Sequence, residues 1–582
     1  MGQKPPPQYG SFVLVLHSHL PYVITHGRWP HGADWLNEAA AETYVPLLNV
    51  LHELQNENAH PRLTIGITPV LSEQLADETF VEEFDHYLKS KIKATRQDKD
   101  EFTRTGQSHL ASLAVYWEEW FKGIHEAFID RYHANIPAAF RKLQDKGVVD
   151  IITCGATHGY FPLLGLDTSI QAQIKVAVET HVRHYGRRPR GIWLPECAYR
   201  PSYRWKPPVD SEPTIAEYER KGVEEFLSEN GIEYFVVDSA LLKGGKPIGV
   251  YLDRFKALRK AWDQFDEHAQ RFKEDFTKTP YELYLVGSGG KPEKQPVAIF
   301  TRDPKTALQV WSGEHGYPGD GWYLDFHKKR FPGGHRYWRV TQVKADMADK
   351  LEYEPEKVNE RLEENASHFV DLIATTLKEH YQETGESGLI TAPYDAELFG
   401  HWWFEGPQFI KKVFQKLNER TDVNAATASE KLDELRPARV VHLPEGSWGE
   451  GGHHYIWLNK DTEWTWKHIY PAEIRMQELA QKYGNTSNRK LRKIIEQAAR
   501  ELLLLESSDW QFLITTVAAK DYAELRFANH NSDFQRLAQM AEDYVTHGKL
   551  PEEDWTYLQE SQERDSLFRS IDLQWWSELE FP

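Results

Sequence analysis

The sequence predicts an α/β protein: a (β/α)7 barrel with an inserted helical subdomain and a C-terminal all-helical domain. Seven short apolar runs recur along the chain, separated by long helical or loop segments. Each run is continuously apolar rather than alternating, which is typical of strands covered on both faces in a parallel sheet. Two further regions have the periodicity of amphipathic helices and do not fit a strand–helix alternation. An open, doubly wound sheet is the alternative arrangement of the same elements.

The seven predicted strands are short and rich in Val, Ile, Leu and aromatic residues, which favour strands. In chain order they are Ser11–Leu16, Leu63–Ile67, Val149–Thr153, Arg190–Leu194, Glu233–Val237, Val297–Thr301 and Leu389–Thr391. Helical connections between consecutive parallel strands favour a barrel, here with one strand fewer than the usual eight.

Three segments interrupt this alternation. Residues 72–146, between the second and third strands, contain too much amphipathic helix for one crossover and are predicted to form the inserted subdomain. Residues 466–582 are almost entirely helical in pattern and are predicted to form the C-terminal domain, which leaves 1–71 and 147–465 for the barrel. The charged segment Asp253–Gln295 has helical periodicity at Ala261–Phe276 and is predicted to be an excursion on the surface.

Charge and composition exclude several classes of function. The formal net charge is −19, whereas nucleic acid and anionic membrane partners require clustered Lys and Arg. No apolar run approaches the ~20 residues of a membrane span. Cys154 and Cys197 are the only cysteines, too few for a disulfide framework, so we expect a reduced, cytoplasmic protein. We also expect a monomer.

Polar side chains follow the predicted strands where each strand ends. Glu196 lies just past the fourth strand, which Pro195 terminates because proline has no N–H for a sheet ladder. The carboxyl ends of parallel strands meet at one rim, where such folds place their chemistry. The side chains predicted at this rim are His17, His19, His158, Glu196, Asp238, Arg302, Asp395 and Glu397. Any one of them could be structural, but their convergence predicts an active site.

His17 and His19 face the same side of an extended chain, because side chains alternate along a strand. Such a pair can bind a divalent metal or hydrogen-bond a sugar or a carboxylate. No cysteine or carboxylate nearby completes a recognisable ligand set, so no metal is expected, and a purely structural pair is the simpler alternative.

Two carboxylates in a pocket rich in Trp and His suit the cleavage of glycosidic bonds. One carboxylic acid protonates the leaving oxygen, and the other carboxylate attacks the anomeric carbon or activates water. Spacing alone does not decide whether Asp395 or Glu397 faces the pocket. No P-loop, dinucleotide fingerprint or Gly-x-Ser-x-Gly elbow accompanies a strand, so phosphoryl transfer, hydride transfer and serine hydrolysis are disfavoured and no cofactor is expected.

Five ordered motifs resemble those of glycoside hydrolase family 57, over residues 10 to about 525. They are His17-Ser-His-Leu-Pro-Tyr, Gly155-Ala-Thr-His-Gly-Tyr-Phe-Pro, Trp193-Leu-Pro-Glu-Cys-Ala-Tyr, Tyr394-Asp-Ala-Glu-Leu-Phe-Gly-His-Trp-Trp and the stretch around Trp448. Within that family, the fourth motif and the helical C-terminus resemble the 1,4-α-glucan branching enzymes. The resemblance implies an enzyme that builds α-1,6 branches into α-1,4-glucans such as amylose, amylopectin or glycogen.

The resemblance also implies roles for individual residues. Glu196 would be the nucleophile and Asp395 the general acid/base of a retaining double displacement, which requires the two carboxyl groups to lie about 5–5.5 Å apart. Tyr251, on a mobile loop after the fifth strand, would favour transfer over hydrolysis. His17, His19, His158 and Arg302 would line the subsite of the reacting glucose, and Trp29, Trp311, Trp403, Trp448 and Trp457 would bind the glucan.

Three alternatives remain open at this point. The nearest is a 4-α-glucanotransferase or α-amylase of the same family. A metal-dependent polysaccharide deacetylase would instead use the two strand-one histidines with Asp238 or Asp303 as ligands. A catalytically inactive glucan-binding protein is the third.

Overall fold

The computed structural model describes residues 8–242, 277–288, 294–312 and 316–579. Its strands are β1 Gly10–Ser18, β2 Leu63–Ile67, β3 Val149–Ile152, β4 Gly191–Ile192, β5 Tyr203–Trp205, β6 Tyr218–Arg220, β7 Tyr234–Val237, β8 Tyr284–Val286, β9 Val297–Thr301, β10 Gly388–Asp395, β11 Val423–Ala425 and β12 Val440–Val441. The seven predicted strands are present as β1, β2, β3, β4, β7, β9 and β10.

These seven strands close into a parallel barrel. β1 pairs with both β10 and β2, β2 with β3, β4 with β7, and β7 with β9. Parallel bridges between Thr153 and Ile192 and between Arg302 and Thr391 join β3 to β4 and β9 to β10, which completes the circle. The predicted (β/α)7 barrel is therefore confirmed, and the open sheet is wrong.

Burial explains the strand pattern. Every residue of β1 is buried, as its continuous apolar sequence predicted. β4 pairs only at Gly191 and Ile192 before Pro195 ends it. A Cβ atom at Gly191 would lie 2.3 Å from the Tyr234 ring, so glycine is what allows β4 and β7 to approach.

The segment Asp253–Gln295 is not wholly a surface excursion. β8, within it, pairs with β9 and β12, and its Tyr284 and Val286 are fully buried. The prediction was wrong here because three strand residues in a charged segment give too short a pattern to recognise. The helical pattern expected at 261–276 lies outside the described residues.

Helices cover the barrel and form two additional helical regions. Those before β10 are Ala33–Ala39, Val45–Asn56, Pro69–Leu75, Glu78–Arg104, Ser108–Glu126, Ile136–Asp145, Asp167–Tyr185, Val223–Glu229, Ser239–Leu242, Pro304–Trp311 and Pro355–Thr384. Those after it are Gly406–Asn418, Ala428–Leu435, Glu463–Tyr483, Arg489–Leu505, Asp509–Thr516, Lys520–His547 and Glu552–Arg564. No helix in the described part of the chain is long and apolar enough to cross a membrane.

Amphipathic packing holds both helical regions together. Glu78–Arg104 and Ser108–Glu126 lie side by side, joined by a short turn, and each buries one face. In the C-terminal region, Arg489–Leu505 packs against Lys520–His547 through a fully buried leucine-rich face. The inserted helices and the helical C-terminus predicted from periodicity are therefore present.

Candidate active site

A cavity of about 990 Å³ opens where the carboxyl ends of the barrel strands meet. Seven of the eight predicted rim residues line it, and Asp238 is the exception. The lining comprises His17, His19, Leu20, Pro21, Pro30, His31, Trp35, Ala39, His158, Glu196, Arg302, Trp311, Phe326, Asp395, Glu397, His401, Trp402, Trp448, Gly449, Ile456, Trp457, Asp509, Phe512, Leu513 and Ala518.

Glu196 reaches the cavity from a strained turn. Its φ of 60° and ψ of 27° lie in the left-handed region, and Cys197 follows with a φ of 48°. Non-glycine residues adopt this conformation at a cost, and such outliers concentrate at functional sites. Trp448 secures the turn, because its backbone N donates to Glu196 O at 3.2 Å and its Nε1 donates to Glu196 Oε2 at 2.8 Å.

Burial raises the pKa of Glu196 to about 8. The hydrogen bond from Trp448 lowers this pKa, whereas the negative charge of Asp395 raises it. The pH at which the Glu196 carboxyl group ionises therefore depends on burial, which raises its pKa, and on the opposing influences of Trp448 and Asp395.

Asp395 is the last residue of β10, Glu397 lies two residues later in the turn that follows, and both line the cavity. Burial and the nearby charge of Glu397 raise the pKa of Asp395 well above its usual range, against the influence of Arg302. One oxygen of Glu397 accepts hydrogen bonds from the Tyr44 hydroxyl at 2.5 Å and from the backbone N of His19 at 3.1 Å. Glu397 is therefore tied to the wall, while no hydrogen bond to the Asp395 carboxyl is found among the described residues.

The three predicted histidines stack against one another. The ring centroids of His19 and His158 lie 4.0 Å apart, and the His17 ring stacks on Trp193 at 4.8 Å. His17 Nε2 and His158 Nε2 are hydrogen-bonded at 3.1 Å. Burial lowers the pKa of both His17 and His158 well below the usual value, so these rings are neutral at physiological pH.

The C-terminal helical region supplies two further residues to this site. His19 Nε2 lies 3.0 Å from an Asp509 carboxylate oxygen, and His158 Nδ1 lies 2.9 Å from Ser508 Oγ. Burial opposes ionisation of Asp509, but His19 and further hydrogen bonds outweigh it and lower the pKa. The sequence did not predict this contact, since nothing in the pattern around Asp509 indicates contact with residues near position 19.

Arg302 pairs with Asp238 at 3.2 Å, and its guanidinium carbon lies 5.9 Å from the centroid of the Trp311 ring. Asp303 caps the helix Pro304–Trp311 through the backbone N of Thr306 at 2.7 Å. Neither aspartate joins the strand-one histidines, so the ligand set of the deacetylase alternative is not assembled.

A different group of cavity residues could hold a metal. The ligand atoms of His19, His158 and Asp509 lie within 4.8 Å of one another.

The predicted tryptophans divide by position. Trp311 and Trp448 line the cavity and are partly exposed, while Trp29 is 70% exposed and precedes Pro30 of the lining. Trp457 also borders the cavity, but it is 1% exposed and its ring stacks on that of Tyr160 with the centroids 4.2 Å apart, so little of it is open to a sugar. The prediction for Trp403 is corrected by its burial. Trp403 is 1% exposed and packs on Phe399, and the adjacent Trp402 faces the cavity instead.

Tyr251, predicted to favour transfer over hydrolysis, lies outside the described residues.

Comparisons with known proteins agree with this architecture. The sequence pattern of glycosyl hydrolase family 57 matches residues 13–444, and that of the 1,4-alpha-glucan branching enzyme C-terminal domain matches residues 468–576. A 1,4-alpha-glucan branching enzyme of Thermococcus kodakarensis is 42% identical over 97% of this chain and 78% of its own.

Solved structures of two enzymes also match this chain over nearly its whole length. A family 57 branching enzyme of Pyrococcus horikoshii is 40% identical, with a TM-score of 0.86 over 99% of this chain and 98% of its own. An alpha-amylase of Thermotoga maritima is 30% identical, with a TM-score of 0.79 over 98% of this chain and 100% of its own. The chain therefore belongs to glycosyl hydrolase family 57 and is an enzyme of the branching type, as its five motifs predicted.

Proposed function

We propose that this protein cleaves α-1,4 linkages of a glucan and rejoins the released chain through an α-1,6 linkage. Glu196 is the nucleophile and Asp395 the general acid/base. Both carboxyl groups line one large cavity at the carboxyl end of the barrel, together with histidines and tryptophans that suit a sugar.

One observation carries the assignment of the two roles: the carboxyl groups differ in their hydrogen bonds. Glu196 accepts a hydrogen bond from Trp448 Nε1, which stabilises its charged form, as a nucleophile requires. Asp395 lies beside Glu397 and has no hydrogen-bond donor among the described residues, which favours its protonated form. A general acid must begin the reaction in that form.

The reaction then has two displacements. Glu196 attacks C1 of the donor glucose while Asp395 gives its proton to the departing oxygen, which leaves a glycosyl-enzyme ester. Asp395, now ionised, takes the proton from the 6-hydroxyl of an acceptor glucan. The acceptor oxygen displaces Glu196 from C1, and two inversions give net retention of the α configuration.

Several finer features belong to the same proposal. The substrates are amylose, amylopectin and glycogen, and Trp311 and Trp448 supply aromatic faces for their glucose units. The protein acts as a monomer in the cytoplasm, where its two free, buried cysteines stay reduced. Residues 1–71 with 147–465, 72–146 and 466–582 are its three domains.

Incubation with linear amylose tests the proposal. New α-1,6 anomeric proton signals with few new reducing ends are expected. Redistribution of α-1,4 chains without that signal would instead identify a 4-α-glucanotransferase, and no change would contradict the proposal.

α-Amylase activity is a second candidate, because the Thermotoga maritima structure matches this chain over nearly its whole length. The same incubation separates the two, since an amylase would release abundant reducing ends without α-1,6 signals. The C-terminal pattern of branching enzymes at residues 468–576 favours branching.

A further inference from the structure

The cavity has an aromatic surface that the roles above do not use. Trp402 is 43% exposed and lines the cavity with Phe326 and His401. The His401 ring centroid lies 5.2 Å from that of Phe326 and 6.3 Å from that of Trp402. These three rings, called the 402 platform below, form an aromatic cluster at the cavity wall, in which Phe326 meets His401 edge-on, at 83°, and Trp402 is tilted from His401 by 45°.

The 402 platform is fixed from beneath by polar contacts. His401 Nδ1 lies 2.8 Å from a carboxylate oxygen of Glu42, and Arg336 contacts both Glu42, at 2.8 Å, and the carbonyl oxygen of His401, at 3.1 Å. The Trp402 backbone N donates to Glu397 O at 3.1 Å, and the buried Trp403 anchors the next position. These contacts fix the loop before any ligand arrives.

Gly400 shows how closely this loop is packed. Its φ is +128°, and a Cβ atom there would lie 1.9 Å from the carbonyl oxygen of Glu42. Only glycine fits this approach, so Gly400 is what allows the backbone before Trp402 to pack against Glu42. A large aromatic ring held half-exposed in a rigid frame adds little to folding, and such rings on preformed surfaces are typical of binding sites.

The chemistry of the two carboxyl groups identifies the chain that this surface meets. The nucleophile bonds to the donor glucose, whereas the acid/base acts on the oxygen of the departing chain and then of the acceptor. Trp448 contacts Glu196, while the 402 platform follows Asp395 on the same segment of chain. The backbone bond from Trp402 N to Glu397 O ties the 402 platform to the segment that carries Asp395, within the same cavity, and this connection is the basis for assigning the acceptor to the platform.

We propose that the 402 platform is the acceptor subsite of this enzyme, and that Trp402 stacks on glucose units of the acceptor glucan. This inference rests on the proposed roles of Glu196 and Asp395. It predicts that Trp402 governs the competition between acceptor and water for the glycosyl-enzyme, and not the formation of that intermediate.

A donor with a nitrophenyl leaving group tests this, because nitrophenol needs no further subsite to depart. 4-Nitrophenyl α-maltoheptaoside is supplied with linear maltooligosaccharides as acceptors, and nitrophenol release and transfer product are measured at rising acceptor concentration. Trp402→Ala is compared with Trp402→Phe, which keeps a ring, and with Phe331→Ala, whose residue is 66% exposed and outside the cavity lining.

Trp402→Ala is expected to release nitrophenol within about twofold of wild type, while the ratio of transfer to hydrolysis falls about tenfold. Trp402→Phe should retain most of the transfer, and Phe331→Ala all of it. Unchanged transfer in Trp402→Ala, or an equal fall of both readouts, would overturn the acceptor subsite. If wild type released nitrophenol but transferred nothing at any acceptor concentration, the proposed function would fail as well.

Discussion

The barrel rim and the C-terminal helical region place carboxyl groups in the same cavity, yet the groups ionise differently. Burial raises the pKa of Glu196 and Asp395 on the barrel strands. Asp509 is also buried, but its pKa is lowered, because His19, His158 and Ser507 face it. It also begins the helix Asp509–Thr516, whose N-terminal end favours negative charge. Neighbours, rather than burial alone, decide which carboxyl groups can carry protons in this site.

The largest expected effect concerns Glu196, one of the two barrel carboxyl groups. Glu196→Ala removes the nucleophile, so branching of amylose should fall about ten-thousand-fold or more. Added azide should restore reaction with an activated α-glucoside and give the β-glycosyl azide, since it attacks opposite the leaving group. Asp395→Ala with azide should give the α product instead, because Glu196 still forms the first ester.

Glu219→Gln, a change at an exposed carboxylate, is the control and should leave activity unchanged. The same azide anomer from both alanine variants would contradict the two roles.

The next largest effect concerns Asp509, the carboxyl group that the C-terminal helical region places in the cavity. Asp509→Asn removes the negative charge that accepts from His19, so kcat/KM should fall about 10–100-fold, the range of a lost charge-assisted hydrogen bond. Asp521→Asn, at an exposed position of the same region, is the matched control. Wild-type kinetics in Asp509→Asn, measured on amylose, would mean that the helical region does not serve the catalytic site.

Trp448→Phe tests how one neighbour controls the ionisation of Glu196, because it removes the indole N–H that donates a hydrogen bond to the Glu196 carboxylate. Loss of this bond raises the pKa of Glu196, and the nucleophile must be ionised, so the acid limb of kcat/KM should move to higher pH. A hydrogen bond to a charged group predicts a shift of about one to two pH units. In wild type the pKa of about 8 predicts that kcat/KM rises with pH up to that region. An acid limb at the same pH in Trp448→Phe would show that Glu196 does not set it.

The smallest expected effect concerns Ser508, which contacts the neutral His158 ring. Ser508→Ala should lower kcat/KM about 2–10-fold, as for one neutral hydrogen bond. Ser487→Ala, in an exposed loop, serves as its control. A larger loss in Ser508→Ala than in Asp509→Asn would reverse the order that charge predicts.

Much of the barrel could be predicted from sequence, because both faces of its strands are covered and each strand is a continuous apolar run. β8 could not, since three residues in a charged segment carry too little pattern. Residue order at the strand ends also predicted which side chains line the cavity, with Asp238 as the exception, since it pairs with Arg302.

Two features of the site could not be predicted from sequence: which of two adjacent tryptophans faces the cavity, and a contact between segments far apart along the chain. The resemblance indicated Trp403 as a glucan-binding residue, but Trp403 packs on Phe399 and the adjacent Trp402 faces the cavity instead. Asp509 could not be connected to His19 because no local pattern records a contact between two segments so far apart along the chain.

The contact between His19 and Asp509 also has a consequence for the synthesis of the chain, because the cavity is completed only late. The two residues are 490 positions apart, and the ribosome makes His19 first. A growing chain can fold its barrel before the helix that completes the histidine cluster has been synthesised. If Asp509→Asn lowers activity as predicted above, full activity begins only after synthesis has passed that helix, and an unfinished chain processes glucan below the full rate.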